Sequence, residues 1–322
     1  MRWRTVALSG GAALGVAALF NAVAETGVTP LANPLGGETG TWHWRGHRIA
    51  WTRRGDGPAV LLVHALHDSA WSHEWRHVVA PLATDHTVWT LDLPGFGRSA
   101  RPAARYSAAL YVALLDEFAR TVIGAPCALV GSALGGAYTV ALAARDARRF
   151  PALVLACPAG VTHLASAPTA ASDAARTLLE SPVVGTAAFN ARVTRASLRH
   201  ALTRAYADPS RVTPALLDAH HATAHQPGAR FAPAAFVGGA LNLNVRDALR
   251  RLEQPVLLTW GRRARDLPPT ERDAYRTLLP DAEVATFASG SLPHDECADE
   301  WVAVVRDFLM RAGAVGGAHQ VR

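Results

Sequence analysis

Short apolar runs alternate with longer, mixed stretches along most of this chain. Ala59–Val63 is a continuous apolar run, entered through the turn residues Gly55-Asp56-Gly57-Pro58. Its length and lack of alternation suit a strand buried on both faces. Thr87–Leu91, Ala128–Val130, Leu153–Ala156, Val256–Trp260 and Val284–Phe287 read the same way. Thr41–Trp44 and Arg48–Arg53 read as a strand pair turning at Arg45-Gly46. Helices are predicted over Ala108–Val122, Ala137–Arg148 and Trp301–Met310. Strands that alternate with helices predict an α/β fold: a three-layer sandwich with a mainly parallel sheet and right-handed crossovers. The alternation breaks once, after Cys157-Pro158-Ala159-Gly160, and does not resume until Val256. The Ala-rich, proline-punctuated segment 162–245 is therefore predicted as a helical cap over the carboxyl edge of the sheet, the edge where ligands bind in open α/β sheets. The core is expected over 41–161 and 246–312, with 313–322 as a flexible tail.

The first residues have a different pattern. Arg2 and Arg4 precede an uncharged run from Val6 to Ala24, ending in Ala22-Val23-Ala24 before the first acid, Glu25. This reads as a signal peptide with an A-x-A cleavage site, or as an uncleaved membrane anchor over 1–24. Either form exports or anchors the rest of the chain outside the cytoplasm; an ordinary N-terminal helix of a cytoplasmic protein is the alternative. Residues 25–40, rich in Pro and Gly, read as a linker.

Composition adds little to this picture. Half of the 322 residues are hydrophobic and 18% are charged, as in an ordered globular protein. The net charge is +6, but all 32 basic residues are arginine and they are interspersed with acids, so no stripe for nucleic acid emerges. Cys127, Cys157 and Cys297 form no zinc spacing, and the first two lie at apolar strand positions suited to buried thiols.

The chemistry concentrates at Gly131-Ser132-Ala133-Leu134-Gly135-Gly136. Glycines two before and two after a central residue frame a tight strand-to-helix turn that presents a nucleophile. Here the central residue is Ala133, whose methyl cannot attack a carbonyl. Four further segments accompany it in order: Val63-His64-Ala65-Leu66, Asp92-Leu93-Pro94-Gly95-Phe96-Gly97-Arg98-Ser99, Thr259-Trp260-Gly261 and Pro293-His294-Asp295-Glu296. Together these resemble the α/β-hydrolase family over about residues 41–312. The resemblance implies a three-layer sandwich with a cap, His294 as the catalytic histidine, and backbone oxyanion donors at Leu66 and Leu134. It places the nucleophile at Ala133 and the usual acid at Ala264, both alanine, and leaves Asp266 as a substitute acid. His64, Ala65, His67 and Ser132 are expected around the pocket.

No cofactor and no metal are expected. His221 and His225 have helical i, i+4 spacing beside His220, but lack the glutamate of a zinc-binding helix. Trp71 and Trp75 are expected to anchor the following helix against the cap. The expected ligand is a small apolar or acyl-like molecule, with no nucleic acid partner and possible membrane attachment through the N-terminal segment. Three functions follow: a descendant of an ester-type hydrolase that keeps its pocket without serine catalysis; an active hydrolase or lyase using His294 as a general base; or a non-catalytic partner-binding protein.

Overall fold

Eight strands form one sheet in the order β1-β2-β4-β3-β5-β6-β7-β8. They are β1 (Glu38–Trp44), β2 (His47–Arg54), β3 (Ala59–Val63), β4 (Thr87–Leu91), β5 (Cys127–Ser132), β6 (Leu153–Ala156), β7 (Val256–Gly261) and β8 (Glu283–Phe287). The computed structural model describes residues 29–319, together with Leu19 and Asn21. β1, β2 and β4 pair antiparallel; from β4 onward every pairing is parallel. β1 starts earlier than its apolar residues suggest. Glu38, Thr39 and Gly40 pair with Arg53, Thr52 and Trp51, so the expected linker 25–40 gives way to strand at Glu38. A ladder extends as far as its partner offers hydrogen bonds, whatever the side chains.

The helices are α1 (Val79–Leu82), α2 (Ala108–Phe118), α3 (Ala133–Ala143), α4 (Ala170–Glu180), α5 (Val184–Arg192), α6 (Arg195–Ala205), α7 (Pro214–Ala224), α8 (Phe231–Val237), α9 (Arg246–Leu249), α10 (Pro269–Leu278), α11 (Pro293–Glu296) and α12 (Ala298–His319). One face of the sheet packs on α2 and α3 through Tyr111, Leu115, Tyr138 and Leu142; the other packs on α1 and α12 through Val79, Trp301, Val305 and Phe308. Where a tail was expected from 313, α12 carries helix through to His319.

Helices α4 to α8 fall between β6 and β7, within the segment expected as a cap. Thr169, Thr194 and Thr213 cap three of them, each accepting a hydrogen bond from the third helical amide. Phe189, Leu198, Leu202, Tyr206 and Leu217 give this layer a small apolar core of its own. The segment expected as a signal or anchor, 1–24, lies outside the described residues except at Leu19 and Asn21. The Asn21 side chain donates to Val183 O (2.9 Å) and accepts from Asn190 (3.2 Å), both in or beside α5. Among the described residues no helix is long and apolar enough to cross a membrane.

Candidate active site

The turn from β5 into α3 is held by close packing of its glycines. A Cβ on Gly131 would lie 2.5 Å from Thr139 Oγ1, and one on Gly135 would lie 2.3 Å from the His64 carbonyl oxygen. Ala133, between them, has φ 47°, left-handed for a residue with a Cβ. That conformation costs about 1 kcal/mol or more and places the side chain at the apex of the turn. The apex opens on a cavity of about 270 Å³. Ser132, Ala133, Cys157 and Ala159 form its floor; Leu198, Ala201 and Leu202 of α6 form its roof.

His294 is fully buried and does not itself line this cavity, although Leu292 and Asp295 of the same segment do. The His294 ring packs 4.4 Å from Trp75 and 5.9 Å from Trp301, centroid to centroid. Among the described residues, neither ring nitrogen has a hydrogen-bond partner. Burial pulls its pKa down to about 4; Asp295 opposes this and Arg76 adds to it. His294 is therefore neutral at pH 7. The Trp75 contact also corrects one expectation, since Trp75 packs against His294 and Trp301 of the core rather than against the cap.

The group facing His294 is Glu74, in the 3₁₀ turn Ser72–Trp75. Its Oε1 lies 3.9 Å from His294 Nε2, and both carboxyl oxygens are 3.2 Å from the Ala65 amide, which donates to them. Burial pushes the Glu74 carboxyl up to about 8. The Ala65 amide, the Ser132 hydroxyl and Arg76 pull the other way, while Asp295 adds to the rise. At neutral pH it is a carboxylic acid, able both to donate and to accept.

The turn is placed by the hydrogen bonds of Asp92 rather than by its own sequence. Asp92 accepts from the Ser72 amide (2.9 Å) with one oxygen and from the Arg98 amide (3.0 Å) and Nε (2.9 Å) with the other. So the Asp92–Ser99 loop acts as a bracket that fixes Glu74 over the elbow.

The other expected site residues divide. Ala65, His67 and Ser132 line the cavity. His64 does not: its Nδ1 donates to the Ala65 carbonyl (2.6 Å) and its Nε2 accepts from the Leu93 amide (3.0 Å). Both ring nitrogens are thus used to tie two loops together. Leu134 lies in the first turn of α3, where backbone amides have no acceptor within the helix. Leu66 is buried next to Ala65. Ala264 supplies no acid, and Asp266, which lines the cavity, forms an ion pair with the cap, its carboxylate 3.7 Å from Arg204 of α6. Burial raises its pKa, against the pull of Arg204 and His163.

His220 contributes to a polar corner instead of a metal site, with Nδ1 2.9 Å from Ser69 Oγ and its ring 5.8 Å from His67. His221 and His225 stack at 3.9 Å, with His225 Nδ1 2.8 Å from the His221 carbonyl. Among the described residues no group of three or more His, Cys, Asp or Glu is arranged to hold a metal. Glu74 escaped the sequence reading. Its only signal was an acid within an otherwise aromatic and histidine-rich stretch, Trp71 to Trp75.

The sequence profile of the alpha/beta hydrolase fold matches residues 58–296. The chain belongs to this family. An uncharacterized protein of Mycobacterium tuberculosis is 28% identical over 279 residues, covering 82% of this chain and 79% of its own. A 2-hydroxymuconate semialdehyde hydrolase of a Pseudomonas species is 36% identical over 115 residues, covering 34% of this chain and 39% of its own. Among solved structures, a serine hydrolase involved in carbazole degradation superposes with a TM-score of 0.72 at 19% identity, over 85% of this chain and 99% of that one. A membrane phospholipase A superposes with a TM-score of 0.68 at 24% identity, over 96% of both. These two likenesses establish the fold alone.

Proposed function

We propose that this α/β-hydrolase binds a small, mainly apolar, acyl-like molecule over the elbow and forms no serine acyl-enzyme. One observation carries the reading: the apex of the turn is Ala133, and it opens on a cavity roofed by Leu198 and Leu202. The relatives named as hydrolases support a small-molecule ligand. A fluorophosphonate should leave the protein unlabelled, and methyl hexanoate should raise its melting temperature. Leu202→Trp, which fills the roof, should remove that rise. Labelling at Ser132, or an unchanged shift in the Leu202 variant, would overturn the reading.

A second reading, catalysis without a covalent intermediate, is favoured by the pair of groups at 3.9 Å beside the cavity, His294 and Glu74. No observation favours a partner-binding role. Export or anchoring of the domain through Arg2, Arg4 and the apolar run remains part of the proposal. The Asn21 contacts with α5 favour an uncleaved segment, and N-terminal sequencing tests it: a chain starting at Glu25 means cleavage.

A further inference from the structure

We propose that Glu74 is the general base of this pocket, activating water for direct attack on the carbonyl of a small ester held over Ala133. The proposal rests on the ligand reading above and deepens it. Three observations carry it. Glu74 lines the same cavity as Ala133. Its carboxyl faces Nε2 of His294, and the apex residue Ala133 carries no hydroxyl to compete for that nitrogen. Its position is fixed on both sides, by the Ala65 amide and by the Asp92 bracket acting through Ser72, so the carboxyl is preorganised rather than swinging on an open loop.

The step balances with water alone. The Glu74 carboxylate removes a proton from water as the water oxygen bonds to the acyl carbon. The carbonyl electron pair moves onto oxygen, the charge that backbone amides at Leu66 and Leu134 are expected to stabilise. Collapse of the tetrahedral species breaks the bond to the alcohol oxygen, which takes the proton back from Glu74. Ester and water become acid and alcohol, and Glu74 returns as a carboxylate. His294, neutral throughout, lends its Nε2 to orient the water. A base that titrates close to the working pH is the efficient kind.

The groups facing Glu74 are Arg76 of its own segment, His294 and Asp295 of α11, and the Ser132 hydroxyl of β5. The carboxylate form is reached only as pH rises through about 8. A His294 base would already be fully available at pH 6, because burial holds its pKa at about 4.

The test is steady-state hydrolysis of 4-nitrophenyl acetate by the whole protein from pH 6 to 9.5, with buffer hydrolysis subtracted. The expected kcat/KM climbs about tenfold per pH unit below 8 and then levels, with no burst of nitrophenol. Glu74→Gln, of the same side-chain size, should lower the plateau by about 10²–10⁴-fold and lose the rise towards pH 8. Glu74→Asp should keep a pH-dependent rate. A flat profile, a burst, or full activity in folded Glu74→Gln overturns the proposal. If Glu74→Gln does not fold, the wild-type profile decides alone. Methyl hexanoate binding without any turnover sinks the Glu74 proposal and leaves the ligand reading standing; loss of both binding and turnover sinks both.

Discussion

Glu271 offers the sharpest test of how the cavity is held open. It is fully buried in α10, and its carboxyl lies under the loop that follows β6. One oxygen accepts from the Val161 amide (2.8 Å); the other accepts from the Thr162 amide (2.5 Å), the Thr162 hydroxyl (2.5 Å) and the His163 amide (2.7 Å). Three successive amides converging on one carboxyl form an anion-binding nest. Glu271→Ala removes all four bonds. Val161 is buried and its amide cannot reach water, at a cost of about 1–3 kcal/mol. Thr162 is exposed, so water recovers part of the other three bonds. A total loss of about 3–5 kcal/mol follows, a large share of the roughly 5–15 kcal/mol that holds a domain together. Glu271→Gln can keep its oxygen on the three-donor side and turn its amide toward Val161, so about 1–3 kcal/mol is expected. Urea titrations followed by tryptophan fluorescence measure both. A loss below about 1 kcal/mol for Glu271→Ala, or equal losses for the two variants, would refute the idea that this carboxyl organises the loop.

Ala133→Ser should gain fluorophosphonate labelling and an ester burst. The gain should stay near 10²-fold, because His294 has no carboxylate on Nδ1 and losing that partner costs about 10⁴-fold in hydrolases. Asp266→Asn should leave the His294 ring titration, followed by NMR, near pH 4, since Asp266 pairs with Arg204; a shifted midpoint would mean the two are coupled. Stability should be greatest near pH 6.5. Below it, His67, His73 and His294, each held at about 4 by burial, and His64 and His220, lowered by the same cause, bind protons more readily when unfolded, while Glu74, raised to about 8, opposes them with one proton. The loss is therefore at least about 3 kcal/mol per pH unit as pH falls from 6.5 towards 4, and Glu74 makes stability decline as pH rises from 6.5 to 8. Calorimetric melts across pH 4–9 check both limbs. Tyr206→Phe removes the hydroxyl that donates to Asp295 and should cost about 1 kcal/mol, with faster amide exchange around 205–208.

The sheet was legible because its strands are buried on both faces and leave uninterrupted apolar runs such as Ala59–Val63. The elbow was legible because backbone crowding at Gly131 and Gly135 tolerates no other residue type, so the steric need writes itself into the chain. Helix ends were less visible. α3 starts at Ala133 rather than near Ala137, since the first turn carries glycines that mask its period. The acid–base pair was not legible at all. Glu74 meets His294 across 220 residues of chain, through a contact that depends on the Asp92 bracket and leaves no local spacing. Asp266 was offered by proximity in sequence to the usual acid position, but an arginine from the cap lies nearer to it in space.

The left-handed turn at Ala133 has a consequence for how this lineage can change. The bend is imposed by the contacts of Gly131 and Gly135, and the side chain at the apex contributes nothing to making it. Alanine and serine codons differ by a single nucleotide. A hydroxyl at the apex is therefore one mutational step away, with no scaffold to rebuild. What opposes that step is Glu74: with a carboxyl in front of His294, a new hydroxyl meets a competitor for the same imidazole. Drift at the apex is cheap in both directions, and the direction is set by a residue in another part of the chain.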